Sequence, residues 1–516
     1  MKKLTVFDET SKFIFVSTIV VMILAHGFCF ANLMYSHDSL GFFNTEGLGK
    51  VGLGRWLYPT LVQRRFIATP WLMGVLSILY VSTAVVLVTK LFDFSKIQGL
   101  CVSILFGTNI TLTTLFCTYI FDADADCLAL LLACFAVYAF KFFPRYFNII
   151  TPIILIALCL ALYQAYICVA IGLYIVLLIY ESRNIISWKK VLLIFALGLK
   201  ELFTLVSGTA LYVLLMHAAS NYYNVELSTD YNGAGKLSSL TLTSIIENIP
   251  KAYECFMNFF FQTTELNTAS IVSVNLLIFL CLLLLIVLFI ISHRNYLGSL
   301  LIIIPSIIIV PLALNSIYCV SFGVFHQLMI FAFCITYLLP FVFINLHNEY
   351  DFEENSMNKY ITRIKVCVNI VCIFSVLVIG INNIVYANGA YVYKKLVYDN
   401  TRLHAQTIWV DINSIDGYIE GETPVVFIGD FTSSKAAYRS SVANRYNQVL
   451  EGADSSSITY AQTIKTFYYG ILGRNINILY NDPTAFANSE SDDMPAYPTE
   501  GYCKMIGDTV VIKMCN

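Results

Sequence analysis

Residues 35–65 read YSHDSLGFFNTEGLGKVGLGRWLYPTLVQRR, and long apolar segments lie on either side. The stretch resembles neither neighbour. It carries His37 beside Asp38, a second acid at Glu46, a bend rich in glycine (Gly47, Gly49, Gly52, Gly54), and Arg55, Arg64 and Arg65. A loop that only joined two membrane spans would need none of these. The stretch therefore reads as the floor of an active site at the outer membrane face.

The composition around it sets the class. Of 516 residues, 58% are hydrophobic and 12% charged, about half the usual charged share. Mean hydropathy is +0.73. So few charges cannot cover a water-soluble protein of this size, and a polytopic α-helical membrane protein follows. The net charge of −2 gives no electrostatic case for nucleic acid. The fifteen cysteines fall mostly within apolar runs, without CxxC or Cys/His spacing, and read as small packing residues. Cys503 and Cys515 flank a hairpin-like segment in the tail, where a disulfide and a free pair both remain open.

A helix needs roughly 20 apolar residues to cross the hydrocarbon core. About eleven segments qualify: Phe13–Met34, Pro70–Lys90, Gly99–Tyr119, Cys127–Phe143, Phe147–Leu162, Ala165–Tyr180, Val191–His217, Ala269–Ser292, Leu297–Ser316, Val324–Ile344 and Val366–Tyr386. The first is a span rather than a cleaved signal, because no small-residue cleavage site follows it. Basic residues mark alternate connections: Lys2, Lys3 and Lys12, then Lys90 and Lys96, Lys141 and Arg145, Arg183, Lys189 and Lys190, Arg294, and finally Lys359, Arg363 and Lys365. The positive-inside rule makes these cytoplasmic, with the N-terminus. Arg55, Arg64 and Arg65 break the rule, as cations kept outside to meet an anion would.

After Tyr386 the chain turns polar. Ala390–Ile415 reads as a helix, Pro424–Ile428 as a strand, Ala461–Tyr469 as a helix, and Lys504–Ile506 with Thr509–Lys513 as a hairpin. Residues 1–387 are thus expected to form the multispanning part and residues 388–516 a small extracytoplasmic α/β domain. Phe256–Phe261 (FMNFFF) suits an interfacial helix.

Among candidate chemical groups Asp38 comes first, just past the end of the first span. Asp122, Asp124 and Asp126 follow in a short outer connection (YIFDADADC). Helix capping accounts for Asp124 or Asp126, and less well for Asp122, which precedes the cap and would face the same water as Asp38. The alternating acids could hold a divalent cation, but no further ligand stands near them, so no metal site and no cofactor is expected. Arg55 suits phosphate through its planar fork; for Arg64 and Arg65, lipid headgroups compete with substrate. Tyr163 and Gln164, at an outer turn, offer a sugar an aromatic face and hydrogen bonds. His326 begins a late span, as a phosphate ligand or as a cap. Lys200 and Glu201 read as a buried intramembrane pair.

In these residues the chain resembles the bacterial type-II O-antigen glucosyltransferases, within the GT-C superfamily of membrane glycosyltransferases. The resemblance rests on YSHDSL, GRWLYP, FDADADCLALLLACFAVY and ALYQAYICVAIGLY, and covers roughly the first two hundred residues. That family often has two adjacent acids where this chain has His37-Asp38, so Asp38 alone carries over. An arginine expected near Ser321–Leu328 is missing, which leaves His326 in its place. The resemblance implies a GT-C-like fold in the bacterial cytoplasmic membrane. It implies transfer of a hexose, glucose in this family, from a polyprenyl-phosphate donor to a cell-surface glycan. Asp38 and Asp122 are the expected catalytic acids, Arg55, Arg64 and Arg65 the donor-phosphate ligands, and His37, Asp124, Tyr163, Gln164 and His326 the other substrate contacts. A lipid-linked glycan flippase or transporter would instead line a mid-membrane path with polar groups, and an O-antigen polymerase would need neither the Asp38 loop nor a folded tail.

Overall fold

A computed structural model describes residues 8–40, 47–62, 69–182, 187–229, 239–292, 297–321, 323, 326–346, 356–432, 434–440, 445–446, 461–479 and 489–515. Helix α1 (Glu9–Ala31) starts where Asp8 Oδ1 accepts from the Ser11 amide at 2.7 Å, an N-cap that satisfies an otherwise orphaned donor. Short helices α2 (His37–Leu40), α3 (Gly49–Gly52) and α4 (Tyr58–Val62) follow, and α5 (Pro70–Leu91) returns through the bundle. Ser95 and Gln98 form a capping box at the start of α6 (Lys96–Gly107). The span expected over Gly99–Tyr119 is broken: α6 stops, and Asn109 caps a new helix, α7 (Ile110–Thr118), by accepting from the Thr111 amide. Then come α8 (Ala123–Phe142), α9 (Phe147–Leu162), α10 (Ile167–Glu181), α11 (Trp188–Tyr223), α12 (Leu242–Phe261), α13 (Ala269–Ser292), α14 (Leu300–Leu314), α15 (Ser316–Val320) and α16 (Leu339–Asn345).

Among the described residues eight helical segments are long and apolar enough to cross a membrane, with α6 and α7 together (Lys96–Thr118) counted as one. Three of the expected spans are shorter apolar helices, at Phe147–Leu162, Leu300–Leu314 and Phe331–Asn345. The last of these is mostly 3-10 helix, over Phe331–Leu338. Helix α8 is central and packs on α5, α9 and α10, while α1 packs on α5, α6 and α17 (Ser356–Asn413). Some polar groups inside the bundle are matched across helices, as lipid surroundings favour. His26 Nε2 donates to Gly107 O at 2.9 Å, so its Nδ1, 2.7 Å from the Tyr391 hydroxyl, accepts from it; α1, α6 and α17 are pinned together. The FMNFFF segment closes α12, but Phe256 and Phe260 are buried in protein rather than laid on lipid. Their rings meet Phe333 and Phe279, which offer a closer-packed partner than acyl chains.

The helix expected over Ala390–Ile415 is not separate. It continues the last span as one helix, α17, of 58 residues. Nothing between them breaks helix: no proline intervenes, and Gly389 is kept free of a side chain because the Tyr446 hydroxyl occupies that space. At 1.5 Å per residue α17 is ~87 Å long, against ~30 Å of hydrocarbon, so a long part projects beyond it. That part carries the sheet. Strands β1 (Pro424–Ile428), β2 (Asn477–Ile478), β3 (Cys503–Ile506) and β4 (Thr509–Lys513) are ordered β2-β1-β4-β3. β1 is parallel to β2 and β4, and β3 and β4 form the expected hairpin. Helices α18 (Ala461–Phe467) and α19 (Ser489–Asp492) flank it. Tyr468 and Tyr502 bind the sheet unit to α17, through Ala405 O at 2.9 Å and Asp411 Oδ2 at 2.5 Å. No disulfide joins Cys503 to Cys515.

Candidate functional site

The C-terminal ends of α1, α7, α9 and α11 and the N-terminal ends of α8 and α10 share one end of the bundle. Here α7 gives way at Thr118 to a short turn, and α8 begins with the acids. Asp122 occupies the N-cap position of α8, yet its carboxylate does not cap the helix. It turns instead to Lys50, whose Nζ stands 2.5 Å from Asp122 Oδ2. Asp122, Asp124 and Asp126 are 2%, 7% and 5% exposed, so none faces open water as expected. The cause is the 47–58 loop, which folds over them.

The glycines make that fold feasible. Gly47 and Gly54 lie at φ +70° and +81°, a region closed to most L-residues. Gly52 leaves room for the chain beyond α11: a Cβ there would press on Glu226 O at 3.1 Å, and Ser228 N donates to Gly52 O at 3.0 Å. Lys50 also lies over the Tyr58 and Phe121 rings. The Arg55 guanidinium lies 4.5 Å from the Tyr163 ring centre. Burial works against its charge, while Tyr163, Asp126 and Asp122 favour it, and the balance holds its pKa above the ordinary value. Gln164 Nε2 donates to Leu53 O at 2.8 Å and reaches the Tyr212 hydroxyl at 3.1 Å. Tyr163 and Gln164 therefore fix the loop from below, with both Gln164 donors' reach spent on protein. Among the described residues, Arg55 Nε, Trp56 Nε1 and Asp122 Oδ1 make no hydrogen bond. They are buried polar atoms of a kind that a polar ligand satisfies.

The other expected residues fall into two groups. His37 and Asp38 form the first turn of α2; their side chains, like Glu46, Arg64 and Arg65, lie outside the described residues. The backbone next to them is anchored at this same end. Ser36 Oγ donates to Thr118 O at 2.6 Å and pairs with Ser39 Oγ, and α2 packs on α7 and α18. His326 acts as a cap, its Nδ1 accepting from the Leu328 amide at 3.2 Å. Its turn is tied to α7 by Thr111 Oγ1, which donates to Gln327 O at 2.8 Å, and touches the Gln164–Tyr166 turn. Lys200 and Glu201 are not a pair. Neighbours in a helix point apart, and Lys200 lies over Phe140 while buried Glu201 leaves Oε1 without a hydrogen bond among the described residues. No three His, Cys, Asp or Glu among the described residues are grouped as metal ligands.

Sequence reasoning missed Lys50 and Tyr212. Lys50 is the sole cation inside the glycine bend GLGKVGLG, which was the available signal; Tyr212 sits in an apolar run and gave none.

The sequence model of the family described as Glucosyl transferase GtrII matches residues 27–345, from within α1 to the end of α16. The chain belongs to that family. It is a glycosyltransferase, and the family assignment implies glucosyl transfer in glycan modification. The matched segment takes in α2, the Lys50–Arg55 loop, the three aspartates and the Tyr163–Gln164 turn; the whole of α17 and the whole sheet lie beyond it. No curated protein and no solved structure gives a match.

Proposed function

We propose that this GtrII glucosyltransferase moves glucose from a polyprenyl-phosphate donor to a cell-surface glycan, of the O-antigen kind, on the outer face of the bacterial cytoplasmic membrane. Residues 1–387 are the membrane glycosyltransferase part and residues 388–516 an extracytoplasmic unit, with the N-terminus in the cytoplasm. The observation that carries the reading is the convergence, at one bundle end and within the family-matched segment, of the α2 backbone bearing Asp38 with Arg55, Lys50 and Asp122. A lipid-borne sugar reaches such a site from the bilayer without crossing it.

In this reading the acceptor hydroxyl oxygen attacks the anomeric carbon. The bond to the phosphate oxygen breaks and its electron pair stays on the phosphate. Asp38 takes the hydroxyl proton, and the configuration inverts. The leaving phosphate gains negative charge, which Arg55 is suited to meet; Arg64 and Arg65 follow Arg55 in the same connection. Asp122 holds Lys50, and Asp124 lies beside it in the first turn of α8. Phosphate is a good leaving group, so one carboxylate suffices where glycoside hydrolysis uses two.

The test is a transfer assay. Membranes containing the chain are given radiolabelled glucosyl polyprenyl phosphate, and the product linkage is read by NMR. Label should enter the surface glycan with inverted configuration. Transfer from a nucleotide sugar but not from the lipid donor would defeat the reading, and retained configuration would defeat direct displacement.

A further inference from the structure

Asp122 has the position of a helix cap and does not act as one. An N-cap aspartate ordinarily accepts from the amides of its own helix. Asp122 makes no such bond at the start of α8. One of its oxygens, Oδ2, is held by Lys50 at 2.5 Å. The other, Oδ1, is shut away from solvent and receives no hydrogen bond among the described residues. The whole residue is 2% exposed. A buried carboxylate oxygen without a donor is costly, and a ligand or an ordered water is what completes such a group.

The neighbouring groups say which kind of ligand fits. Arg55 Nε and Trp56 Nε1, on the loop above, also make no hydrogen bond among the described residues, and both can only donate. The Arg55 amide donates to Lys50 O at 2.9 Å, so Arg55 and the ammonium that holds Asp122 belong to one turn. An ionised phosphate alone would satisfy the two donors, because it offers acceptors. It would leave Asp122 Oδ1 without a donor and would repel it. An ammonium ligand would satisfy Oδ1 and be repelled by Arg55. A sugar carried on a phosphate offers both chemistries in one small piece: phosphate oxygens that accept and hydroxyls that donate. Taking a proton is a poor use of Asp122, since the Lys50 ammonium beside it would then lose its counter-charge.

We infer that Asp122 Oδ1 accepts a hydrogen bond from one hydroxyl of the glucose being transferred. Asp122 is then a residue that reads the donor sugar, and not an acid–base catalyst. The sugar enters when the glycine loop lifts. From Leu48 to Arg55 the backbone bonds to itself, Val51 N to Leu48 O at 2.9 Å, Gly54 N to Val51 O at 2.8 Å and Arg55 N to Lys50 O, so the turn moves as one piece. This inference rests on the polyprenyl-phosphate reading above.

The experiment uses the full chain in nanodiscs. The probes are glucosyl polyprenyl phosphate and its monodeoxy analogues, each lacking one hydroxyl of the glucose. Wild type should transfer one analogue about ten- to a hundredfold less well than the parent, the loss expected for one hydrogen bond to a charged group. Asp122→Asn gives its one acceptor oxygen to Lys50 and presents N–H to the sugar, so it should transfer the parent and that analogue alike. Its preferences at the other hydroxyls and the acid limb of its pH–rate profile should be those of wild type. Equal slowing of every donor by Asp122→Asn, with the wild-type preference kept, overturns the inference and leaves a water on Oδ1. Equal transfer of all the donors by wild type overturns it too, as does loss of the acid limb in Asp122→Asn, which would make Asp122 the base. If Asp122→Asn does not fold, Asp122→Leu with Lys50→Met, which removes both charges, is judged by the same criteria. Should wild type transfer from no lipid-linked donor, the donor reading fails and this inference with it. If wild type transfers and Asp122→Asn keeps its preference, only this inference fails.

Discussion

Lys50 and Asp122 meet across 72 positions of sequence, ammonium to carboxylate at 2.5 Å, and join the glycine loop to the start of α8. Asp122 is buried and its other oxygen makes no hydrogen bond among the described residues. Removing one member of such a pair leaves a buried charge uncompensated, at a cost of about 3–5 kcal/mol. Lys50→Met is therefore expected to lower the thermal unfolding midpoint sharply. The double variant Lys50→Met/Asp122→Asn should recover much of that loss, because no bare charge remains. A double variant as unstable as the single one would show that the pair does not join loop to helix in this way.

Arg55 lies on the Tyr163 ring, and the ring alone supplies that contact. Tyr163→Phe should keep transfer close to wild type. Tyr163→Leu should lose the cation–π contribution, ~0.5–2 kcal/mol, seen as weaker donor binding. Equal behaviour of Phe and Leu at this position would separate Arg55 from the ring. Because its neighbours hold the guanidinium charged, Arg55 should contribute no alkaline limb to the pH–rate profile.

The bundle's inner polar node makes a third prediction. Tyr391→Phe removes the donor to His26 Nδ1 and leaves that buried nitrogen unsatisfied. The expected cost is ~1–3 kcal/mol, read as a lower unfolding midpoint. His26→Leu with Tyr391→Phe removes both partners and should be milder than Tyr391→Phe alone. Additive losses would count against the bond.

These contacts divide what the sequence could tell from what it could not. Helices such as Phe147–Leu162, the strand Pro424–Ile428 and the Gly507-Asp508 hairpin were legible because their signals are local: a run of apolar residues, an alternation, a turn. The acid cluster was legible as a cluster, and its burial was not, since that depends on a loop 72 positions away. The single 58-residue α17 was misjudged as two elements because a change of composition is not a change of backbone; helix continues wherever nothing stops it. Lys200 and Glu201 looked like a pair by adjacency alone, and helix geometry sends them apart.

In the sheet, Gly429 ends β1 at φ +80°, and a Cβ there would collide with Cys515 Sγ. Cys515 thus packs towards β1, while Cys503 lies on β3, on the far side of β4. Burial pushes the Cys503 thiol up to about 12, so little thiolate exists near neutrality. Reductant should leave the unfolding midpoint unchanged, and electrophoretic mobility should be the same with and without it. Gly429→Ala should destabilise by about 1–3 kcal/mol from overpacking, in addition to its left-handed backbone. A mobility shift on reduction would contradict the absence of a bond between them.

The proposed role of Asp38, removal of the acceptor's proton at this end of the bundle, has a direct test. Single-turnover transfer from glucosyl polyprenyl phosphate, with donor binding measured in parallel, compares wild type with Asp38→Asn most directly. The account predicts transfer slowed by about 10²–10⁴-fold in Asp38→Asn, with donor binding intact. Transfer by Asp38→Asn at the wild-type rate would contradict it.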